Sequence, residues 1–597
     1  MPLCYSVNSH PIETVLSWVK AGEIAIPEIQ RPFVWDSTSV RDLMDSIFNG
    51  YPVGYLISWR NPNVRLKDGS ISEGKKVLID GQQRVTALMA ALLGQKVLTK
   101  DYKVARVRIA FNPLKRKFEV LNPAIKKDVE WIPDIADVME NSSNLLGIFT
   151  DYCNKVTVKD QNEVMSAFTD LLAIKNNVIG YIELAPELDI ETVTEIFIRI
   201  NSKGVVLNQA DFAMSKIAAS EQYKGPELRK AIDYFCQLAV APDFYSQLAE
   251  RDTEFAGTSW FRKMSWLKNE NDDLYDPSYT DMLRVACIYA FERGKLADLV
   301  SLLSGRNFET RQYEDEIAEH SFQLLEEGIL GFINETHFQR FLMIIRSAGF
   351  VAAHMIRSQN ALNFAYALYL KLRKEGYDPS VIETAVRRWF VLSLLTSRYS
   401  GAFESRFDSD IKRTKNGEFV NFLEQTEKAE LSDSYWEFGL VQELEKASTN
   451  SPFLKLFWAA QTKLANRGML SKEILVRDLI THQGDVHHIF PRDYLKKHGY
   501  KRGGYNQLAN FAFTQSEINI RIKNKAPKDY FAEVIEQCTD GCPRIGAICD
   551  SKELKSNLAE NCLPESVMQM EHQDYNAFLR ERRVLMANRI RDYYRTL

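Results

Sequence analysis

Apolar and polar positions follow three regimes along the 597 residues. In the N-terminal third, short apolar runs are punctuated by Gly and Pro. Ile26 to Trp35 and Tyr51 to Trp59 read as strands, and Val40 to Gly50 between them reads as a helix with Leu43 and Ile47 on one face. Val77-Leu78-Ile79 predicts a buried strand, Gly81 a tight turn, and Val85 to Leu93 a helix. Leu207 to Ala219 predicts another helix, for which Asn208 or Asp211 could be the cap. From about Asp211 to Lys463 aromatic and Leu positions recur at spacings of three and four, so the middle is mostly helical, and Arg387 to Tyr399 suits a buried helix with polar ends. No period of about 20 to 50 residues recurs clearly, which argues against a solenoid. Towards the C-terminus the pattern changes again. Ile489-Phe490-Pro491 reads as a strand end breaking into a loop, Leu508 to Thr514 as a short aromatic-rich strand, and Gln515 to Lys523 as a short helix lying before Pro527.

Such a length exceeds one ordinary core, and two to four domains are expected. Apolar and charged fractions of 45% and 26% are those of a globular chain. Net charge is −4, which alone argues against a nucleic-acid partner, but the local balance differs. Between Asp485 and Tyr530 nine Lys and Arg, among them Lys496, Lys497, Arg521, Lys523 and Lys525, face four acids. A basic rim of this kind suits a phosphate backbone. A second basic stretch, Lys96 to Lys127, lacks the interleaved aromatics of a base-stacking surface and reads equally as a solvated face. The eight cysteines are sparse and form no disulfide framework, and Cys538, Cys542, Cys549 and Cys562 lack the paired knuckles of a zinc ribbon. No signal peptide is visible, and the most apolar stretch, Phe341 to Ile356, is interrupted by Arg346 and His354 and too short to span a bilayer. A cytoplasmic chain with reduced thiols and no membrane partner is expected.

The candidate chemistry is densest at His487-His488-Ile489-Phe490-Pro491, with Asn510 and Asn519 downstream. Imidazole and carboxamide oxygen both ligate divalent ions, and a second imidazole titrates near neutrality as a base. Neighbouring side chains on an extended segment point opposite ways, so one His can bind metal while the other faces substrate. Paired His residues are also common as plain surface groups. The strand, loop, strand, helix order decides between the two, and the segment resembles the HNH, or ββα-metal, nuclease domain at the C-terminus of GmrSD-type, modification-dependent restriction enzymes. The resemblance implies His487 as first metal ligand, His488 as general base, Asn510 as the Asn that braces the loop, and Asn519 as second metal ligand, with Mg2+ or Mn2+ as the ion. Many such sites carry Asp where this chain has His487.

In the N-terminal third, Ile79-Asp80-Gly81-Gln82-Gln83-Arg84 places a Gly turn at a helix N-terminus, where backbone N–H groups and an Arg fork suit phosphate oxygens. Asp80 could coordinate a metal or orient a water, and Gln82 and Gln83 offer donors and acceptors. Together with Ile26 to Trp35, this arrangement is similar to the N-terminal domain of GmrSD-type proteins, itself similar to the ParB/sulfiredoxin fold. The fold's G-x-x-R-x-x-A segment falls here on Gly81, Arg84 and Ala87. The resemblance implies nucleoside triphosphate binding and hydrolysis and control of the nuclease, with Gln30 and Arg31 in the same pocket and Asn201 and Lys203 on a second phosphate-side loop. Gly69 to Lys76 nearly spells a P-loop, but Lys76 replaces the hydroxyl residue and the segment runs into a strand, so a hairpin turn is expected. Arg398-Tyr399 before Ser400-Gly401 also resembles the helices that link the two domains in this family.

The expected fold is α+β and predominantly helical: residues 1–225 a ParB/sulfiredoxin-like nucleotide-binding sensor, 226–435 a helical connector, and 436–597 the nuclease domain embedded in helices. The expected activity is metal-dependent cleavage of double-stranded, modified or foreign DNA under nucleoside triphosphate control, with a homo-oligomer possible. Two alternatives stand beside it: a nucleotide-regulated DNA sensor with an inactive nuclease domain, and a nuclease whose N-terminal domain reads DNA modification without nucleotide.

Overall fold

The computed structural model describes residues 4–25, 35–60, 76–98, 104–158, 160–188, 193, 196, 209–270, 274–414, 418–445, 451–482 and 484–597. They form a predominantly helical α+β protein. The chain divides into two compact units, one of residues 1–269 with 302–322 and one of residues 270–301 with 323–597. Residues 226–435, expected as a connector, are built mainly of helices and contribute to both units.

The first unit is organised by a mixed five-stranded sheet of order β1 (Tyr5–Pro11), β9 (Val178–Leu184), β3 (Tyr55–Arg60), β4 (Lys76–Asp80) and β2 (Ile24–Ala25). β9 runs parallel to β3 and antiparallel to β1; β4 runs antiparallel to β3 and parallel to β2. Helices α1 (Ile12–Lys20) and α3 (Gln82–Leu92) pack on it, and α2 (Ser37–Phe48) packs against α3. Helix α2 starts where the Asp36 carboxylate accepts from the Ser39 N–H at 2.7 Å, and it buries Val40, Leu43, Met44 and Ile47, the three-four stripe that its pattern predicts. Strand β3 starts at Tyr55 rather than Tyr51, because Pro52 has no N–H to offer a ladder and Gly54 sits at φ +85°. Two strand pairs follow α3, β5 (Lys96–Leu98) with β6 (Val104–Arg106), then β7 (Ile109–Asn112) with β8 (Lys117–Val120). They carry the second basic stretch, and Arg106, Arg108, Lys115, Arg116 and Lys117 each lie within ion-pair reach of an acid, which is the solvated-face reading of that stretch.

The second unit is a helical assembly into which one small hairpin is set. Helices Tyr279–Phe291, Gln359–Lys374 and Pro379–Leu395 pack in sequence, with Trp389 fully buried, and Pro452–Lys463 lies against the C-terminal helix Tyr575–Arg595. The stretch Phe341 to Ile356 splits at Gly349 (φ +94°) between the helix Glu335–Ser347 and a turn at Ala353–Met355; among the described residues no helix is long and apolar enough to cross a membrane. The hairpin pairs β10 (Asp485–His488) with β11 (Phe511–Thr514), and the helix Ser516–Ile522 follows directly. The expected strand at Leu508 begins later, since Leu508–Asn510 forms a 3-10 turn. The expected strand at 26–34, the hairpin turn at 69–75 and the loop at 201–208 lie outside the described residues.

Candidate active site

In β10, residues two apart share a face. Asp485 and His487 look one way, Val486 and His488 the other. The register pairs His487 with Ala512 and His488 with Phe511, and the helix Ser516–Ile522 brings Asn519 against the Asp485–His487 face. His487 Nδ1 lies 2.7 Å from Asn519 Oδ1, and the Asn519 Nδ2 donates to Asp485 Oδ2 at 3.1 Å. His487 is 4% exposed, and burial pushes its pKa down to about 4 against the opposing contact with Asn519. At neutral pH the ring is therefore uncharged, the form in which imidazole ligates. Its buried Nε2 has no hydrogen-bond partner among the described residues.

On the opposite face, His488 Nε2 contacts Asn506 Oδ1 at 2.9 Å, and the ring stands edge-on to Phe511 at 4.8 Å. An amide oxygen can only accept, so Nε2 carries the ring proton and Nδ1 the lone pair of a base. Burial pulls the His488 pKa below its ordinary value, Asn506 opposes this, and Arg492 adds to it. Asn510, fully buried, spans the loop between the strands: its Oδ1 accepts from the Phe490 N–H at 2.8 Å while Nδ2 donates to the carbonyls of Phe490 and Tyr505 at 3.1 and 3.0 Å. Tyr530 Oη donates to the Ile489 carbonyl, and Arg582 from the C-terminal helix donates to the carbonyls of Ala509 and Phe511 at 2.8 Å each.

His487, His488 and Asn519 line a cleft of about 170 Å³ together with Arg492, Lys523 and Asn524, among others. Of the five basic residues singled out in the sequence, Lys523 lines this cleft, held at φ +55° as the helix ends. Lys497 and Arg521 are exposed. Lys496 lies 3.4 Å from Asp493, and Lys525 pairs with Glu533 at 2.5 Å. Asp485, Asn506 and Arg492 stand at the site although the motif reading gave them no role. The first two meet partners 34 and 18 residues away, which no local pattern signals.

The donor set fits a divalent ion. Because an amide oxygen only accepts, Nδ1 carries the His487 ring proton and donates to Asn519 Oδ1 at 2.7 Å; a divalent ion held by these two atoms would take the place of that proton, with the ring in its Nε2–H tautomer. Among the described residues no group of three His, Cys, Asp or Glu side chains is gathered for a metal, so the pair would leave positions for water and phosphate. The four C-terminal cysteines are free thiols, with Cys562 buried and Cys542 exposed.

In the first unit, Gly81 caps α3 at φ +93°, and a Cβ there would stand 2.3 Å from Leu56 Cδ2, so only glycine makes this strand-to-helix turn. Asp80 ends β4, and Gln82 and Gln83 are buried in the first turn of α3, with Gln82 Oε1 lacking a hydrogen-bond partner among the described residues. Arg84 is committed within the fold: Nη1 donates to the carbonyls of Tyr55 (2.7 Å) and Val53 (3.3 Å), and Nη2 to Asp80 (3.0 Å). Gly54 makes room for it, since a Cβ there would meet Nη1 at 2.7 Å. The turn suits phosphate, but three of the five N–H donors of Arg84 are engaged within the fold. Asp211 lies buried within the first turn of the helix Gln209–Ala219. Gln30, Arg31, Asn201 and Lys203 lie outside the described residues.

Residues 12–218 match the family described as GmrSD restriction endonuclease, N-terminal domain. The N-terminal region is thus similar to that of GmrSD restriction endonucleases, and the match ends before the His487–Asn519 cleft. Along most of its length the chain is also 21% identical, over 603 residues, to an uncharacterized protein of Methanocaldococcus jannaschii, covering 92% of this chain and 91% of the relative.

Proposed function

We propose that this chain is a metal-dependent DNA endonuclease whose active site is the cleft of β10, β11 and the helix Ser516–Ile522, acting in restriction of modified or foreign double-stranded DNA. The observation that carries it is the Asn519 side chain brought by the helix Ser516–Ile522 to 2.7 Å from His487, on the face of a strand whose other face presents His488 held by Asn506. His487 and Asn519 would hold a divalent ion such as Mg2+ or Mn2+, which when bound supplies Lewis-acid stabilisation of charge at the phosphate and the leaving oxygen. His488 Nδ1 accepts the proton of the attacking water, and Asn506 keeps the ring in the tautomer that can do so. Asn510 sets the loop that carries His488, through the Phe490 main chain. Arg492 and Lys523 at the cleft rim meet the phosphate backbone.

The GmrSD-type match supports restriction as the setting, and control by the N-terminal region through a nucleoside triphosphate is proposed beside it. The commitment of Arg84 to Tyr55, Val53 and Asp80 favours a second reading of that region, in which it reads a DNA modification without nucleotide. Plasmid cleavage with Mg2+ or Mn2+, on plain and modified DNA, tests the enzyme. His488→Ala should abolish cleavage and leave DNA affinity largely unchanged, and wild-type cutting by that variant would refute the site. Phosphate release stimulated by DNA supports nucleotide control; its absence, with cleavage indifferent to nucleotide, favours the second reading.

A further inference from the structure

We infer that Asp485 is a positioning residue that fixes the Asn519 carboxamide, and through it the His487 ring, in the orientation that receives a divalent cation. Asp485 has this role only if the cleft is the nuclease site proposed above. Asn519 comes from a helix and is not fully buried, so nothing in its own backbone decides which edge of the amide faces His487. The two edges are nearly identical in shape and opposite in hydrogen bonding. Asp485 supplies the missing choice. An ionised carboxylate only accepts, and it takes the Asn519 NH2 edge at 3.1 Å. Turning the amide over would set Oδ1 against the carboxylate and an N–H against the ligating position.

With the amide fixed, Oδ1 faces His487 Nδ1 at 2.7 Å. The same carboxylate polarises the amide towards a more basic oxygen and places a negative charge behind the ligand pair, while Arg492, Asp493 and Lys523 line the cleft itself. The strand makes this arrangement local: Asp485 lies two residues before His487 and therefore on the same face, while Asn519 spans the pair from the helix. A partner behind a ligand tunes affinity rather than chemistry, so loss of Asp485 should weaken metal binding while sparing turnover once metal saturates.

Mn2+ binding to the full chain, read by isothermal titration, checks this in wild type, His487→Ala, Asp485→Ala and Asp485→Asn, with melting temperatures and cleavage against Mn2+ concentration alongside. Expected is a His487-dependent site, weakened by about 10- to 100-fold in Asp485→Ala. Asp485→Asn, able to accept or donate and so to tolerate either amide orientation, should fall between. Cleavage by Asp485→Ala should climb back towards the wild-type rate as Mn2+ is raised, with the melting temperature unchanged. Wild-type Mn2+ affinity in Asp485→Ala, beside a dead His487→Ala, overturns the role of Asp485 and leaves the nuclease site standing. A fall in melting temperature and rate that no Mn2+ concentration restores also overturns it, as a merely structural effect. Binding in wild type identical to His487→Ala overturns the metal site itself and Asp485 with it.

Discussion

Asn510 and Phe490 hold each other by two hydrogen bonds, the Phe490 N–H to Asn510 Oδ1 at 2.8 Å and Asn510 Nδ2 to the Phe490 carbonyl at 3.1 Å. A side chain here reproduces what a neighbouring strand would do, pairing with the main chain just past the end of β10. Asn510→Ala leaves a buried N–H and two carbonyls to find other partners, and should destabilise the second unit by about 3 kcal/mol. Asn510→Asp sets a carboxylate against the carbonyls of Phe490 and Tyr505 and should be worse still. Denaturant unfolding of both variants beside cleavage rates checks this; a wild-type unfolding midpoint in Asn510→Ala would contradict it.

Arg582 is fully buried, and its guanidinium feeds only main-chain carbonyls: Ala509, Phe511 and, at 3.1 Å, Asn561. Burial pushes its pKa down to about 10, still high enough to keep the charge at neutral pH. Arg582→Met removes three donated bonds, two of them flanking Asn510 and one to Asn561, and a loss of roughly 3 kcal/mol or more is expected. Arg582→Lys has one nitrogen to stand in for Nη1 at Ala509 and Phe511 and none for Nη2 at Asn561, and should recover only part of it. Thermal melts rank the three proteins, and near-equality of Lys and Arg would show that charge, not the fork, matters.

Lys455 sits 7% exposed with Nζ 4.2 Å over the Trp458 ring, and burial, helped by Arg357, pushes its pKa down to about 8 from an ordinary 10.5. Between those two values the unfolded chain binds more protons than the folded one, so stability should rise as pH climbs from about 8 to about 10.5. Below about pH 8 both states are protonated and the cost of the buried charge is felt in full. Lys455→Met should therefore raise the melting temperature at pH 7 by no more than about 3 kcal/mol of added stability, less whatever the ring contact contributes, and should flatten the alkaline rise. Melting curves at pH 7 and pH 10 test both statements.

Gly81→Ala combines a left-handed backbone with a Cβ 2.3 Å from Leu56 Cδ2 and 3.3 Å from its Cα. Separation of β4 from α3, or of β3 from both, is the expected response, at a cost of about 2 kcal/mol or more. Limited proteolysis should cut the variant earlier in the first unit, and an unchanged cleavage pattern would show that the turn has room for a Cβ.

Period and punctuation revealed most of the fold. Val77 to Ile79, Gly81 and the apolar run behind them carry their strand, turn and helix openly, because each is decided within a few residues. The helix begins three residues before the expected Val85, since Gly81 itself caps it and Gln82 and Gln83 fold inward. Leu508 to Thr514 misled at its start: an alternating apolar run looks the same as strand or 3-10 turn, and only the Asn510 side chain, engaged with Phe490 and Tyr505, distinguishes them. At the site, His487, His488, Asn510 and Asn519 were legible from motif order. Asp485, Asn506 and Arg582 were not, because each acts on a partner 18 to 73 residues away and none carries chemistry of its own.

The helix Tyr575–Arg595 reaches the hairpin loop at several points: Tyr575 at the Gly504 carbonyl, Arg583 at the Gln507 side chain, and Arg582 on both sides of Asn510. A peptide covering only 480–545 would contain every residue of the metal-and-base motif and none of these supports. The motif is therefore not a portable cassette. Grafted or excised, it would keep its signature and lose its shape, and any fusion or truncation that disturbs the last twenty or so residues would act on the cleft from a distance in sequence that its own letters do not betray.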